Sequence, residues 1–155
     1  MSEQQTPQQH FEIQKVYLKD VSLETPNSPA IFTEQWQPQT EVRLETSATP
    51  LTEDLFESVL TLTVTAKMGD RTAYLAEVKQ AGLFTLRGFD EQQKGHMLHA
   101  FCPNILFPFS REELASLIGK GGFPALLLNP INFDALYLQR LQQQQAQAAA
   151  PSMPH

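Results

Sequence analysis

The sequence predicts an α+β fold. Four strand-like segments come first, two or three helical segments follow, and the hydrophobic period lengthens from two to about 3.6 near Asp90. Between the first two strands lies a proline-framed stretch, residues 25–39, expected to be a long ordered loop.

From Phe11 to Lys19 apolar and polar residues alternate, but the frame slips: Phe11 and Ile13 share one parity, Val16 and Leu18 the other. A bulge near Gln14 and Lys15 would restore one apolar face. Pro26, Pro29 and Pro38 then bracket Ile31, Phe32 and Trp36, and prolines so placed oppose both helix and central strand. Strand pattern returns at Glu41–Glu45 and strengthens from Phe56 to Lys67, where Leu60, Leu62, Val64 and Ala66 oppose Thr61, Thr63 and Thr65. Met-Gly-Asp-Arg at 68–71 supplies a turn, and Thr72–Leu86 completes a hairpin.

Asp90 and Gln93 have the spacing of a capping box, opening a first helix expected to end near Pro103. Ser110 and Glu113 repeat that signature before Leu114, Leu117 and Ile118, so a second helix is expected from Ser110, stopped by Gly119, Gly121 and Gly122. A start at Pro103 would place Pro108 inside the helix and cost a hydrogen bond. Phe133, Leu136, Tyr137, Arg140 and Leu141 describe a third helix. Residues 10–141 are thus expected to form one domain, flanked by a flexible segment at 1–9 and a mobile Gln/Ala-rich tail at 142–155.

Composition excludes several functions. The chain has 155 residues, 41% hydrophobic and 18% charged, and its net charge of −6 opposes nucleic-acid binding while attracting basic surfaces. No run is long and apolar enough to cross a membrane, the first residues do not read as a signal peptide, and one cysteine cannot form an intrachain disulfide. A cytoplasmic location is expected.

His96, His99 and Cys102 are spaced three apart, but on a helix they fan around the axis, and a fourth ligand is missing. Gly121 stands where a phosphate loop needs Ser or Thr. Cys102 beside Phe101 reads as inert packing rather than a nucleophile. No metal, cofactor or enzyme chemistry is expected. What remains is an aromatic set, Phe32, Trp36, Phe107 and Phe109, and an acidic series, Asp20, Glu24 and Glu77 with Leu75. Taken singly the phenylalanines read as core, whereas Trp36 in its proline-framed loop reads as binding surface. Leu75 and Glu77 share a strand face opposite Ala76 and Val78.

The chain resembles the SecB family of bacterial protein-export chaperones along nearly its whole length. The likeness lies in Phe-Glu-Ile-Gln-Lys-Val-Tyr at 11–17, Lys-Asp-Val-Ser at 19–22, Trp-Gln-Pro at 36–38, Cys-Pro-Asn-Ile-Leu-Phe-Pro-Phe at 102–109 and Pro-Ile-Asn-Phe-Asp-Ala-Leu at 130–136. The resemblance implies a four-stranded antiparallel sheet with helices on one side, assembled as a homotetramer that is a dimer of dimers. It implies a chaperone that holds export precursors unfolded without ATP and delivers them to the motor ATPase SecA. Asp20, Glu24, Leu75 and Glu77 become the expected SecA contact, and Ala76, Val78 and Gln80 the stretch tied to oligomer assembly. Many relatives end in an acidic tail, whereas here the tail is neutral after Leu141.

Phe32, Trp36, Phe107 and Phe109 are then expected to line a groove for the apolar side chains of unfolded precursor proteins. A carrier of a small hydrophobic ligand in the same groove is the alternative, and a Cys102-dependent enzyme a further one. No direct membrane insertion is expected.

Overall fold

A computed structural model describes residues 8–149. Strands β1 (His10–Glu24), β2 (Gln39–Pro50), β3 (Leu55–Met68) and β4 (Arg71–Arg87) form an antiparallel sheet in the order β1-β4-β3-β2. The predicted hairpin is β3–β4, closed at Gly69, whose φ is 64°. Even-numbered residues of β3 and β4 bury Leu60, Leu62, Val64, Ala76, Val78 and Phe84 on one side. The helices cover that side; the other stays open.

The expected bulge is present, since Ile13 pairs with Phe84 and Lys15 with Leu83, leaving Gln14 extra. A second, unforeseen bulge at Lys19 lies between the pairs Leu18–Gln80 and Asp20–Lys79. Together they keep Phe11, Ile13, Val16, Leu18, Val21 and Leu23 on the helix side although their parity changes twice. They also set Asp20, Ser22 and Glu24 on the open side.

Helix α1 (Glu91–His96) opens with the predicted capping box: the Gln93 N–H donates to Asp90 Oδ1 at 2.8 Å and the Asp90 N–H to Gln93 Oε1 at 3.0 Å. The chain does not break at Pro103. A π-helical turn at Met97–Phe101 leads into α2 (Cys102–Lys120), which runs through Pro108. The Ser110 capping box is therefore not formed, and Ser110 Oγ, buried, donates to the Phe107 carbonyl at 2.8 Å. The π-turn explains why Pro103 is accommodated. Cys102 N–H reaches back to the Met97 carbonyl, and Pro103 has no N–H, so the helix leaves the Leu98 carbonyl free for the buried Ser58 hydroxyl, which donates to it at 3.4 Å.

Gly82 sets the approach of α2 to the sheet. A Cβ there would sit 2.6 Å from the Phe84 ring and 3.2 Å from Leu106 Cδ2. Helix α3 (Phe133–Ala149) follows an extended linker, and the Ala135 N–H donates to Asn132 Oδ1 at its start. It continues eight residues past Leu141, through 142–149, where the tail was expected; these residues are exposed but helical. Gln and Ala are good helix formers, which accounts for the extension without docking. Of the expected flexible segment, residues 1–7 lie outside the described residues, as does the end of the tail, 150–155.

Candidate functional site

On the helix side, four rings gather where the loop passes the start of β4. Tyr74, 2% exposed, supports Phe123 at 5.1 Å between ring centroids and Trp36 at 6.3 Å; Phe123 contacts Trp36 at 5.4 Å and Phe32 at 5.1 Å. The loop that carries Phe32 and Trp36 is pinned at three points. Ile31 is buried in a short 3-10 turn (Ala30–Thr33), Asn27 Nδ2 donates to the Thr72 carbonyl at 2.8 Å, and Arg71 pairs with Glu34. Phe32 lies over Gly122, whose φ of 88° and missing Cβ leave room for the ring: a Cβ would stand 3.1 Å from Phe32 Cζ. Its outer surface is 47% exposed. A rigid aromatic base with one open ring is suited to taking apolar side chains of variable shape.

The four expected groove residues do not form one wall. Phe107 is only 5% exposed because continuation of the helix through Pro108 turns it inward, edge-on to Phe133 at 5.8 Å, with the Arg111 guanidinium 5.5 Å from its ring. Phe109 is 48% exposed on α2. Tyr74 and Phe123 complete the platform instead. Tyr74 could have been found from its parity with Val78 and Phe84, and Phe123 from its place after a glycine pair, which permits a ring to fold back.

A second concavity of about 430 Å³ lies between β2 and α3, lined by Leu44, Thr46, His99, Phe133, Tyr137 and Arg140. Phe107 braces its Phe133 wall from behind. Phe101, 42% exposed, leans edge-on against Phe11 at 5.1 Å.

The acidic set is on the opposite side of the sheet. Pairing places Glu24 opposite Leu75, Ser22 opposite Glu77 and Asp20 opposite Lys79, so all four expected residues fall in three successive rows of β1 and β4. Asp20 and Glu24 are exposed, while Leu75 and Glu77 are half-buried. Farther along this face, Glu57 accepts from Lys19 Nζ at 2.8 and 3.1 Å and from the Tyr17 hydroxyl. The Lys19 hydrogen bond, with that from Tyr17, pulls the Glu57 carboxyl below its usual range. Burial, then Glu57, pushes the Tyr17 phenol up to about 12. Ala76, Val78 and Gln80 alternate with the acidic set as expected, but they are buried under the helices at 0%, 0% and 5% exposure.

The potential metal ligands diverge. His96 Nε2 meets Asp134 at 2.6 Å, His99 stacks on Tyr137, and Cys102 is fully buried. Burial, then Arg140, lowers the His99 pKa, and burial raises the Cys102 thiol to about 12. The thiolate is therefore scarce at neutral pH. Iodoacetamide should label native Cys102 at least about a hundredfold more slowly than the urea-unfolded chain; comparable rates would contradict the buried, protonated thiol.

Residues 4–144 match the family described as Preprotein translocase subunit SecB. The chain belongs to the SecB family. A Protein-export protein SecB of Methylococcus capsulatus is 56% identical over 151 residues, covering 96% of this chain and 97% of that one. Among solved structures, a SecB-like chaperone of Mycobacterium tuberculosis, in complex with a ChAD peptide from an antitoxin, aligns with a TM-score of 0.62 at 19% identity, covering 78% of this chain and 90% of that one. That likeness shows a shared SecB fold, with the four-stranded antiparallel sheet and one-sided helices expected from the sequence. This SecB-family member is a protein-export chaperone. No helix among its described residues is long and apolar enough to cross a membrane.

Proposed function

We propose that this chaperone holds newly made export precursors unfolded in the cytoplasm, without nucleotide hydrolysis or enzyme chemistry, and delivers them to SecA as a homotetramer built from two dimers. The observation that carries the client-binding part is the platform of Phe32 and Trp36 on Tyr74 and Phe123, with Phe32 left 47% exposed. Phe109 adds exposed apolar surface, and Phe107 acts indirectly through Phe133. Burial gives roughly 25 cal/mol per Å² of apolar surface, so each platform binds modestly and selects for exposed apolar segments rather than for one sequence. Repetition around an oligomer raises avidity by effective concentration.

Asp20, Glu24, Leu75 and Glu77 form the proposed SecA contact. Their adjacency on the open face supports this, since client and motor then engage opposite sides of one sheet. Ala76, Val78 and Gln80 would influence assembly through the sheet–helix packing in which they are buried, not by touching another subunit.

The decisive experiment mixes the purified protein with a denatured precursor in the absence of nucleotide. Refolding should stall in a stable complex of defined mass, and Trp36→Ala should weaken client binding by about tenfold while leaving the oligomer intact. Unhindered refolding would refute the holding activity, and unchanged affinity in the variant would refute the role of Trp36. Saturable uptake of a hydrophobic small molecule, with no preference for unfolded protein, would instead identify a carrier.

A further inference from the structure

Two half-buried glutamates on the open face are held in opposite ways. Glu57 is met by the Lys19 ammonium as well as the Tyr17 hydroxyl, so much of its charge is balanced within the protein. Glu77 accepts from the Thr63 hydroxyl at 3.0 Å, and Thr63 is its direct cross-strand partner on β3. Among the described residues, no ion pair involves Glu77. Of the nearest cations in the register, Lys79 stands two residues along the strand, opposite Asp20 and Thr61, and forms no ion pair with Glu77 among the described residues, while Arg43, next to Thr63 on β2, turns its guanidinium to Glu41 at 3.4 Å.

A hydroxyl donates a hydrogen bond without bringing a positive charge. It can fix the direction of a carboxylate and leave the field of that carboxylate available to an incoming cation, which a lysine partner would cancel. Thr61 and Thr65 share the face but stand opposite Lys79 and Leu75, so Thr63 is the member of the row that meets a carboxylate.

We infer that Thr63 is a positioning residue of the docking face, holding Glu77 in one orientation with its charge unbalanced, ready for a basic side chain of the motor. The inference rests on the proposed SecA contact. Ordering Glu77 inside the fold removes part of the side-chain entropy that docking would otherwise cost. Thr63 shares the open face with Glu77, opposite the face of Tyr74 and the platform, so client holding should be independent of it.

The test measures binding of the full-length protein to purified SecA. Thr63→Val keeps the β-branched shape and removes the donor; it should weaken binding about tenfold, the scale of one charge-assisted hydrogen bond. Thr63→Ser should restore affinity to within about twofold of wild type. On a Glu77→Ala background, Thr63→Val should have no added effect, a result that general damage to the sheet would not produce. Client holding and the thermal midpoint should stay near wild type in both single variants. If Thr63→Val binds SecA normally while Glu77→Lys does not, the role of Thr63 is overturned and the docking face stands. If Glu77→Lys also binds normally, the docking face fails, and the inference with it. Loss in Thr63→Val that persists unchanged on the Glu77→Ala background also overturns the inference.

Discussion

Glu77→Lys is expected to lower affinity for SecA by at least about a hundredfold while client holding stays near wild type. The substitution changes the local charge by two units in the row between those of Asp20 and Glu24, where the side chain is half-buried and screened less than an exposed one. Two charges 4 Å apart interact by about 4 kcal/mol at the effective dielectric of a protein surface, so reversing one sign converts an attraction into a repulsion of similar size. The Thr63 hydroxyl also loses its acceptor. Binding should fall as salt rises in the wild type, whereas the residual binding of the variant should not, because its favourable electrostatics are gone. Holding survives because the platform lies on the other face of the sheet, the side that carries the helices. Titration of SecA and a stalled-refolding assay on the same sample check both halves. Equal loss of both activities would sink the separation of surfaces.

Phe123→Ala should destabilise the protein by about 3–5 kcal/mol and loosen the client platform. Phe123 is 5% exposed and touches Phe32, Trp36 and Tyr74, so its removal leaves a cavity under the two loop rings and takes away the contact that joins them. Trp36 is the single tryptophan of the chain, and its fluorescence reports on this place alone. The variant should show a red-shifted emission, a lower urea midpoint and weaker client binding. A wild-type midpoint with unchanged emission would show that Phe123 does not organise the platform.

Period-two patterning made the β3–β4 hairpin and the Gln14 bulge legible, because a single buried face leaves no choice of register. The Lys19 bulge was encoded in the same way, by Leu18 followed by Val21 and Leu23, beyond the point where the strand was expected to end. The helical half was harder to read. Pro103, Pro108 and Ser110 are local signals for a break and a new cap, yet the π-turn and a hydroxyl from β3 offset the missing hydrogen bond, so packing overrode them. Strand parity put Leu75 and Glu77 on one face, but Asp20 and Glu24 were grouped with them through the family resemblance, and they share that face only because of the Lys19 bulge. The aromatic set was foreseen only in part. Phe32 and Trp36 reach Phe123 across 87 residues of sequence in the case of Trp36, a tertiary contact that no local spacing announces.

The two bulges of β1 make its length negotiable at two points and nowhere else. Gln14 and Lys19 are surplus to the pairing, so omitting either would straighten the strand while every neighbour kept its partner on β4. Loss of a residue such as Val16 would exchange the faces of the chain on one side of the gap, sending carboxylates toward the helices and aliphatic side chains toward the open face. For anyone shortening, grafting or permuting this edge strand, those two positions are its natural splice points.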